Sequence, residues 1–285
     1  MKPSLFTNIF RDFTLEEAIP EIARIGYQGI ELMARAPHLP PDTPAARVRD
    51  IKRMIDDHGL IVSNIAGYAG GYSQLDEDQA RAQLEDLARL LEIANALGCP
   101  LVRHQPGGPS YDQASEEQWR RAVTWTQRAA DLGERAGVRL VVELHPNGLV
   151  ETADSTFDFL KRVGRDNVGA IFDPGNMYLA GTPFGAGEVY KLWGRIFHVH
   201  VKDCLQVVDP TYPSARQWRG GLIAFKVLGE GAADHLPALR TLHRLSYRGY
   251  LSCECEMRWP SKEAVLHCAA HEYRVLTRLI GLAVN

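Results

Sequence analysis

The chain alternates short apolar runs with longer amphipathic stretches, and polar loops join one to the next. Continuous apolar runs are typical of strands buried on both faces, whereas apolar residues spaced by three or four positions are typical of helices packed on one side. The pattern predicts strands at residues 4–10, 29–33, 60–66, 101–104, 139–144, 168–173, 196–203 and 250–256. It predicts helices at residues 14–25, 44–58, 78–97, 115–136, 155–163, 187–193, 234–245 and 261–279, with a long loop before the seventh.

Several predicted helices carry recognisable end signals. Thr14 followed by Glu17 has the spacing of a capping box, and Ser115 followed by Gln118 has the same spacing. Gly26 stands where the first helix is expected to end, because glycine readily adopts the left-handed conformation that closes many helices.

The order of the elements indicates a fold class. Eight strand-and-helix units in 285 residues average about 36 residues each, which suits a (β/α)₈ TIM barrel. We therefore expect an α/β fold, a single TIM-barrel domain over residues 1–285. A doubly wound open sheet is the alternative, but the first strand-to-helix turn, FTNIFRDFT, lacks the GxGxxG pattern of dinucleotide-binding folds.

Composition and charge reduce the number of possible partner classes. Hydrophobic residues make up 45% of the chain, charged residues 24%, and the net charge is −3 from 35 acidic and 32 basic residues. This balance disfavours a nucleic-acid partner, and we expect no membrane association because no apolar run approaches about 20 residues. Five cysteines without a CxxC pattern argue against a disulfide scaffold or a zinc ribbon. We expect a cytoplasmic protein; homo-oligomerisation stays open.

Polar side chains end four consecutive predicted strands. Glu143 follows VV, and Asp173 lies in AIFDPGN. FHVHVKD places His198 and His200 on one face of its strand, and YLSCECE places Glu254 and Glu256 on one face. Taken alone, Asp173 could be a turn residue before Pro174, and His200 could be a core histidine. Together, three carboxylates and one imidazole at strand ends indicate a site for one divalent ion, Mn²⁺, Mg²⁺ or Co²⁺, with Zn²⁺ as a further option.

Six segments in order carry a family resemblance: GYQGIEL, VVELHP, IFDPGN, HVHVKD, LGEG and YRGYLSCE. Together they resemble the xylose isomerase-like barrels, the sugar isomerase/epimerase superfamily that also contains endonuclease IV. The resemblance implies that Glu143, Asp173, His200 and Glu254 bind one divalent metal, with Mn²⁺ expected first. By the same resemblance, His200 is preferred over His198 because it stands two residues before the lysine of HxKD, and Glu254 is preferred over Glu256 by its place in GYLSCE.

The resemblance also implies an activity. In the epimerases the first and last glutamates shuttle protons, which makes Glu143 and Glu254 the candidate catalytic residues. We expect a metal-dependent isomerase or epimerase of a sugar, keto-polyol or hydroxy-keto acid that acts by proton transfer through a metal-stabilised enediolate.

Three other functions remain alternatives. A dehydratase of a keto-inositol type would use the same enediolate and expel a β-hydroxyl. An endonuclease IV-like nuclease is disfavoured, because position 176 is Asn instead of His and no DxH follows the seventh strand. A non-catalytic sugar-binding barrel is disfavoured by the four intact ligand positions.

Five further residues are candidates for contact with a small sugar or polyol substrate. They are His104, His145, Asn176, Lys202 and Arg216. Each has a structural alternative, such as a buried hydrogen bond for His104, an ion pair for Lys202 and a solvated loop charge for Arg216. Arg219 in the same loop as Arg216, and Glu31 at the end of the second strand, are further candidates with the same structural alternatives.

Overall fold

The computed structural model of the chain describes residues 1–212, 215–218 and 221–285. Its strands are β1 (Lys2–Phe6), β2 (Gly29–Met33), β3 (Ile61–Ala66), β4 (Leu101–Arg103), β5 (Arg139–Glu143), β6 (Val168–Phe172), β7 (Ile196–Val201), β8 (Asp203–Val207), β9 (Ala215–Trp218), β10 (Gly221–Lys226) and β11 (Tyr250–Cys253). Eight of them form a closed parallel barrel in the order β1-β11-β7-β6-β5-β4-β3-β2. The predicted (β/α)₈ barrel is confirmed.

The helices are α1 (Leu15–Ile25), α2 (Ala45–Asp57), α3 (Glu77–Leu97), α4 (Glu116–Ala136), α5 (Ala153–Val163), α6 (Pro174–Leu179), α7 (Ala186–Leu192), α8 (Leu236–Arg244) and α9 (Lys262–Val284). The capping boxes predicted at Thr14 and Ser115 are both present. Gly26 ends α1 with φ of 113°, a conformation that favours glycine. No helix in the described part of the chain is long and apolar enough to cross a membrane.

The barrel places its polar residues by alternation. Successive side chains of a strand point to opposite faces, so one set lines the barrel interior while the other packs against the surrounding helices. All five residues of β2 and all five of β6 are buried, as expected for strands covered on both faces. The carboxyl ends of the eight strands meet at one mouth of the barrel.

The structure differs from the sequence predictions at several element boundaries and by one additional helix. The first strand ends at Phe6, and a 3₁₀ helix takes over at Thr7–Phe10. The seventh strand ends at Val201, one residue before Lys202. Strand β11 ends at Cys253, so Glu254 lies just beyond it. The short helix α6 was not predicted; it begins directly after Asp173, whose side chain accepts the Asn176 backbone N–H at 2.9 Å.

The expected loop after the seventh strand contains an antiparallel sheet in the order β8-β10-β9, and the prediction of a plain loop is wrong. We call β8 to β10 the insert. Leu179 of α6 packs with Cys204, Ile223 and Phe225 of the insert, so the sheet is seated beside the helix that follows Asp173. The apolar face of this hairpin-like sheet explains why the segment folds as strands.

Candidate active site

The barrel mouth brings together the four residues predicted as metal ligands. Glu143 ends β5, Asp173 follows β6, His200 lies in β7 and Glu254 follows β11. One ligand atom from each lies within 4.8 Å of the others. All four side chains are buried. We call these residues the carboxylate cluster.

His200 is the centre of the carboxylate cluster. Its Nδ1 atom lies 3.1 Å from Glu143 Oε1, 3.1 Å from Glu254 Oε2 and 3.6 Å from Asp173 Oδ2. Three carboxylates on different strands therefore face one ring nitrogen.

Glu31 holds the opposite edge of the His200 ring. Its Oε1 lies 3.0 Å from His200 Nε2, its Oε2 lies 2.9 Å from His198 Nε2, and Asn64 Nδ2 donates to Oε1 at 2.8 Å. Burial opposes ionisation of Glu31, but His200 and His198 outweigh it and hold its pKa well below the usual range. Glu31 is fully buried behind the cluster, so of its two predicted roles the structure shows the buried hydrogen-bonding one.

Arg103 pairs with Glu143 and was not found from the sequence. Its Nη1 lies 2.5 Å from Glu143 Oε2, and its Nε donates to the Gly67 carbonyl at 3.1 Å. Burial opposes ionisation of Glu143, but Arg103 and His200 outweigh it and hold its pKa well below the usual range. The sequence signal that could have identified Arg103 is a charged residue at the carboxyl end of β4, directly before His104.

Lys202 lies inside the carboxylate cluster. Its Nζ is 2.5 Å from Glu254 Oε2 and 3.2 Å from Asp173 Oδ2. Burial opposes ionisation of Glu254, but Lys202 and His200 bring its pKa to about 2. Both glutamates are therefore anionic near neutral pH, as a general base must be.

The donor set fits a divalent cation. Three carboxylates and a ring nitrogen converge, and the other ring nitrogen is held by Glu31, which is the usual arrangement behind a ligating histidine. Oxygen-rich sets of this kind suit Mn²⁺, Mg²⁺ and Co²⁺.

A cavity of about 360 Å³ opens beside Glu143. Its walls include His104 and His145 together with two glycine-containing loops, 105–108 and 146–148. His104 is fully buried, and neither ring nitrogen has a hydrogen-bond partner among the described residues. His145 is exposed, with Nδ1 2.8 Å from the Pro146 carbonyl. Both predicted substrate residues thus border a space of ligand size.

The remaining predicted substrate residues lie elsewhere. Asn176 is buried, and its Nδ2 donates to Glu143 Oε1 at 3.0 Å, so its side chain supports a cluster glutamate. Arg216 is exposed on β9, with its guanidinium 5.2 Å from the Phe225 ring centre. Its described contacts are within the insert. Arg219 lies outside the described residues.

Comparison with known proteins assigns the family. The family model described as xylose isomerase-like TIM barrel matches residues 19–272. The chain belongs to this family, and the resemblance seen in the sequence is confirmed.

Two relatives and one solved structure illustrate its range. An inosose dehydratase from Geobacillus kaustophilus is 22% identical over 260 residues, covering 86% of this chain and 80% of the relative. A fructoselysine 3-epimerase from Escherichia coli O157:H7 is 21% identical over 262 residues, covering 89% of this chain and 90% of the relative. The crystal structure of the IOLI protein with a binding zinc atom superposes with a TM-score of 0.82 at 18% identity, covering 99% and 98% of the two chains.

Proposed function

We propose that this protein is a divalent-metal-dependent isomerase or epimerase of a polyhydroxylated ketone, such as a sugar, a keto-polyol or a hydroxy-keto acid. The observation that carries the proposal is the convergence of Glu143, Asp173 and Glu254 on His200 Nδ1. Relatives named for an epimerase and for a dehydratase of sugar-like molecules support the substrate class.

The carboxylate cluster would hold one cation, Mn²⁺ first, through Glu143, Asp173, His200 and Glu254. When bound, the cation supplies Lewis-acid stabilisation of negative charge on neighbouring substrate oxygens. Glu143 and Glu254 come from strands on different sides of β6 and β7 in the barrel order. One carboxylate can therefore take the proton next to the carbonyl, and the other can return a proton to the opposite face or to the adjacent carbon.

A different cationic side chain lies closest to each of the two glutamates. Arg103 holds one oxygen of Glu143, and Lys202 holds one oxygen of Glu254. Each carboxylate is thereby oriented, and the developing negative charge on the substrate would meet two buried cations.

A dehydratase is the second candidate, and one contact favours it. Lys202 Nζ lies 2.5 Å from Glu254 Oε2, so a buried ammonium stands beside a carboxylate base. Such a pair can remove a proton and supply another to a departing β-hydroxyl. A relative that is named inosose dehydratase supports this candidate function.

One experiment separates the two. Purified protein is loaded with Mn²⁺ and incubated in D₂O with free ketoses, inososes and hydroxypyruvate. The molecular masses of the products are measured by mass spectrometry. An isomerase or epimerase gives a product of unchanged formula that has gained one solvent deuterium at carbon. A product lighter by one water assigns the dehydratase. Retention of substrate hydrogen, with no solvent deuterium, would contradict proton transfer through solvent-exchanging glutamates.

A further inference from the structure

A second group of ligand-type side chains lies where the end of β11 and the segment after it pack against α9. Glu254 points to the carboxylate cluster, so its neighbours Cys253 and Cys255 point the other way, toward α9. Cys268 and Glu272 lie four residues apart on α9 and therefore share one face of that helix. Cys253 Sγ lies 4.0 Å from the Glu272 carbonyl oxygen, and Cys255 Sγ lies 3.8 Å from Cys268 Sγ.

Three of these residues converge. One ligand atom each from Cys255, Cys268 and Glu272 lies within 4.8 Å of the other two. Their exposed fractions are 1%, 2% and 2%. We call them the thiol site.

Glu272 is the member whose buried carboxyl group is only partly satisfied by hydrogen bonds. Its Oε1 accepts the Leu228 backbone N–H at 3.4 Å, while its Oε2 has no hydrogen-bond partner of normal geometry in the described part of the chain. Burial of a carboxyl group without such a partner is costly. A cation beside Oε2 would remove that cost.

The sulfur spacing suits a tetrahedral cation. With Zn–S bonds of about 2.3 Å, two sulfurs of a tetrahedral site stand about 3.8 Å apart, which is the distance between Cys255 and Cys268. Two packed thiols can also meet at this distance, so the carboxyl oxygen of Glu272 is what distinguishes a site from a simple contact.

We propose that Cys255, Cys268 and Glu272 bind a soft divalent cation such as Zn²⁺, separately from the carboxylate cluster. The two sites differ in donor chemistry, because thiolates select thiophilic ions whereas the carboxylate cluster selects oxygen-preferring ions. A cation in the thiol site would tie the segment after β11, which begins at Glu254, to α9. The proposal does not depend on the catalytic activity.

The test uses Cd²⁺, whose bond to thiolate absorbs in the ultraviolet whereas its bonds to carboxylate and imidazole do not. Reduced full-length protein is titrated with Cd²⁺ in a thiol-free reductant, once in the folded state and once during refolding from urea, so that slow entry does not hide binding. We expect a thiolate–cadmium absorption that saturates at one ion per chain. Cys255→Ser and Cys268→Ser should abolish it, and Glu272→Gln should weaken the affinity by at least about 10-fold.

Cys99 provides a matched control. Cys99→Ser changes a buried thiol that donates to the Leu101 carbonyl, and it should leave the absorption unchanged. Circular dichroism of each variant checks that it is folded. Absence of the absorption in both titrations overturns the proposal, as does its survival in the Cys255→Ser/Cys268→Ser double variant. The proposal is also overturned if Cys255 and Cys268 form a disulfide on oxidation while the reduced protein shows no cadmium absorption.

Discussion

Glu31 Oε1 lies 3.0 Å from His200 Nε2, and this contact sets the direction in which the ring presents its other nitrogen. Because Nε2 is the atom that faces Glu31, Nδ1 is the atom that faces the three carboxylates. The two residues are 169 positions apart in the chain and meet across the barrel interior.

Replacing Glu31 with Gln should weaken binding of Mn²⁺ by about 10- to 100-fold, the usual effect of losing the partner behind a ligating histidine. The amide keeps the size of the side chain but removes the charge that favours an N–H on Nε2 of His200. Affinity is measured by titration of the ion into purified protein. Glu256→Gln is the control, because that carboxylate accepts from Asn8 at 3.3 Å and is not a member of the cluster. Equal affinities for wild type and Glu31→Gln would show that Glu31 does not position the ring.

Glu143→Gln and Glu254→Gln should each lower turnover by roughly 10²-fold or more, the usual contribution of a positioned general base. Each amide preserves shape but cannot take a proton. Since both residues are proposed ligands, rates are compared at saturating metal. Glu256→Gln should have a smaller effect, and near wild-type turnover in either cluster variant would exclude that residue as a proton carrier.

Asp203→Asn should destabilise the fold by about 2–3 kcal/mol, the scale for hydrogen bonds to a buried charged group. The buried Asp203 carboxylate accepts four backbone N–H groups, from Cys204, Gly229, Gly231 and Ala233, at 2.9–3.1 Å. In the Asp203→Asn variant, an amide NH₂ replaces one of the two carboxylate oxygens. The NH₂ is a donor and cannot accept the backbone N–H groups that point at that position.

Urea unfolding measures the change at Asp203. The control is Asp209→Asn in the same insert. Asp209 is exposed, so the urea unfolding midpoint of this variant should equal that of wild type. If both variants unfold at the wild-type midpoint, the four contacts do not stabilise the junction between the barrel and the insert.

The stability of the protein should fall as pH drops from about 6.5 to about 4, in part because of His104. Burial lowers the pKa of His104 to about 4, from 6.5 in the unfolded chain. Within this window the unfolded chain binds a proton that the folded chain does not, so acid favours unfolding, by up to about 3 kcal/mol for this group at the acid end. The free energy of unfolding of His104→Gln should therefore depend less steeply on pH than that of wild type. Parallel pH profiles would show that His104 ionises freely in the folded protein.

The eight strands and the polar residues at their carboxyl ends could be predicted from the sequence because their signals are local, whereas the choice of His200 over His198 rested on the family resemblance. A parallel barrel buries both faces of each strand, so each strand appears as an apolar run, and its carboxyl end is the point where a polar residue such as Asp173 interrupts the run. The two-residue period of β7 then places His198 and His200 on the same face.

The hydrogen-bond and ion-pair partners of those residues follow from the three-dimensional fold and not from local patterns. Arg103 and Glu143 are 40 positions apart, and Glu31 and His200 are 169 apart, so no spacing along the chain relates them. Strand order, register and closure of the barrel bring these side chains within hydrogen-bond distance. The same holds for the insert, because β10 pairs with both β8 and β9, and residues of β8 and β10 pack against Leu179 of α6, contacts that a local pattern does not contain. Local sequence patterns therefore indicate which polar residues lie at the barrel mouth. Closure of the sheet selects which of them meet, since a buried charge is stable only where an opposite charge or a donor lies beside it.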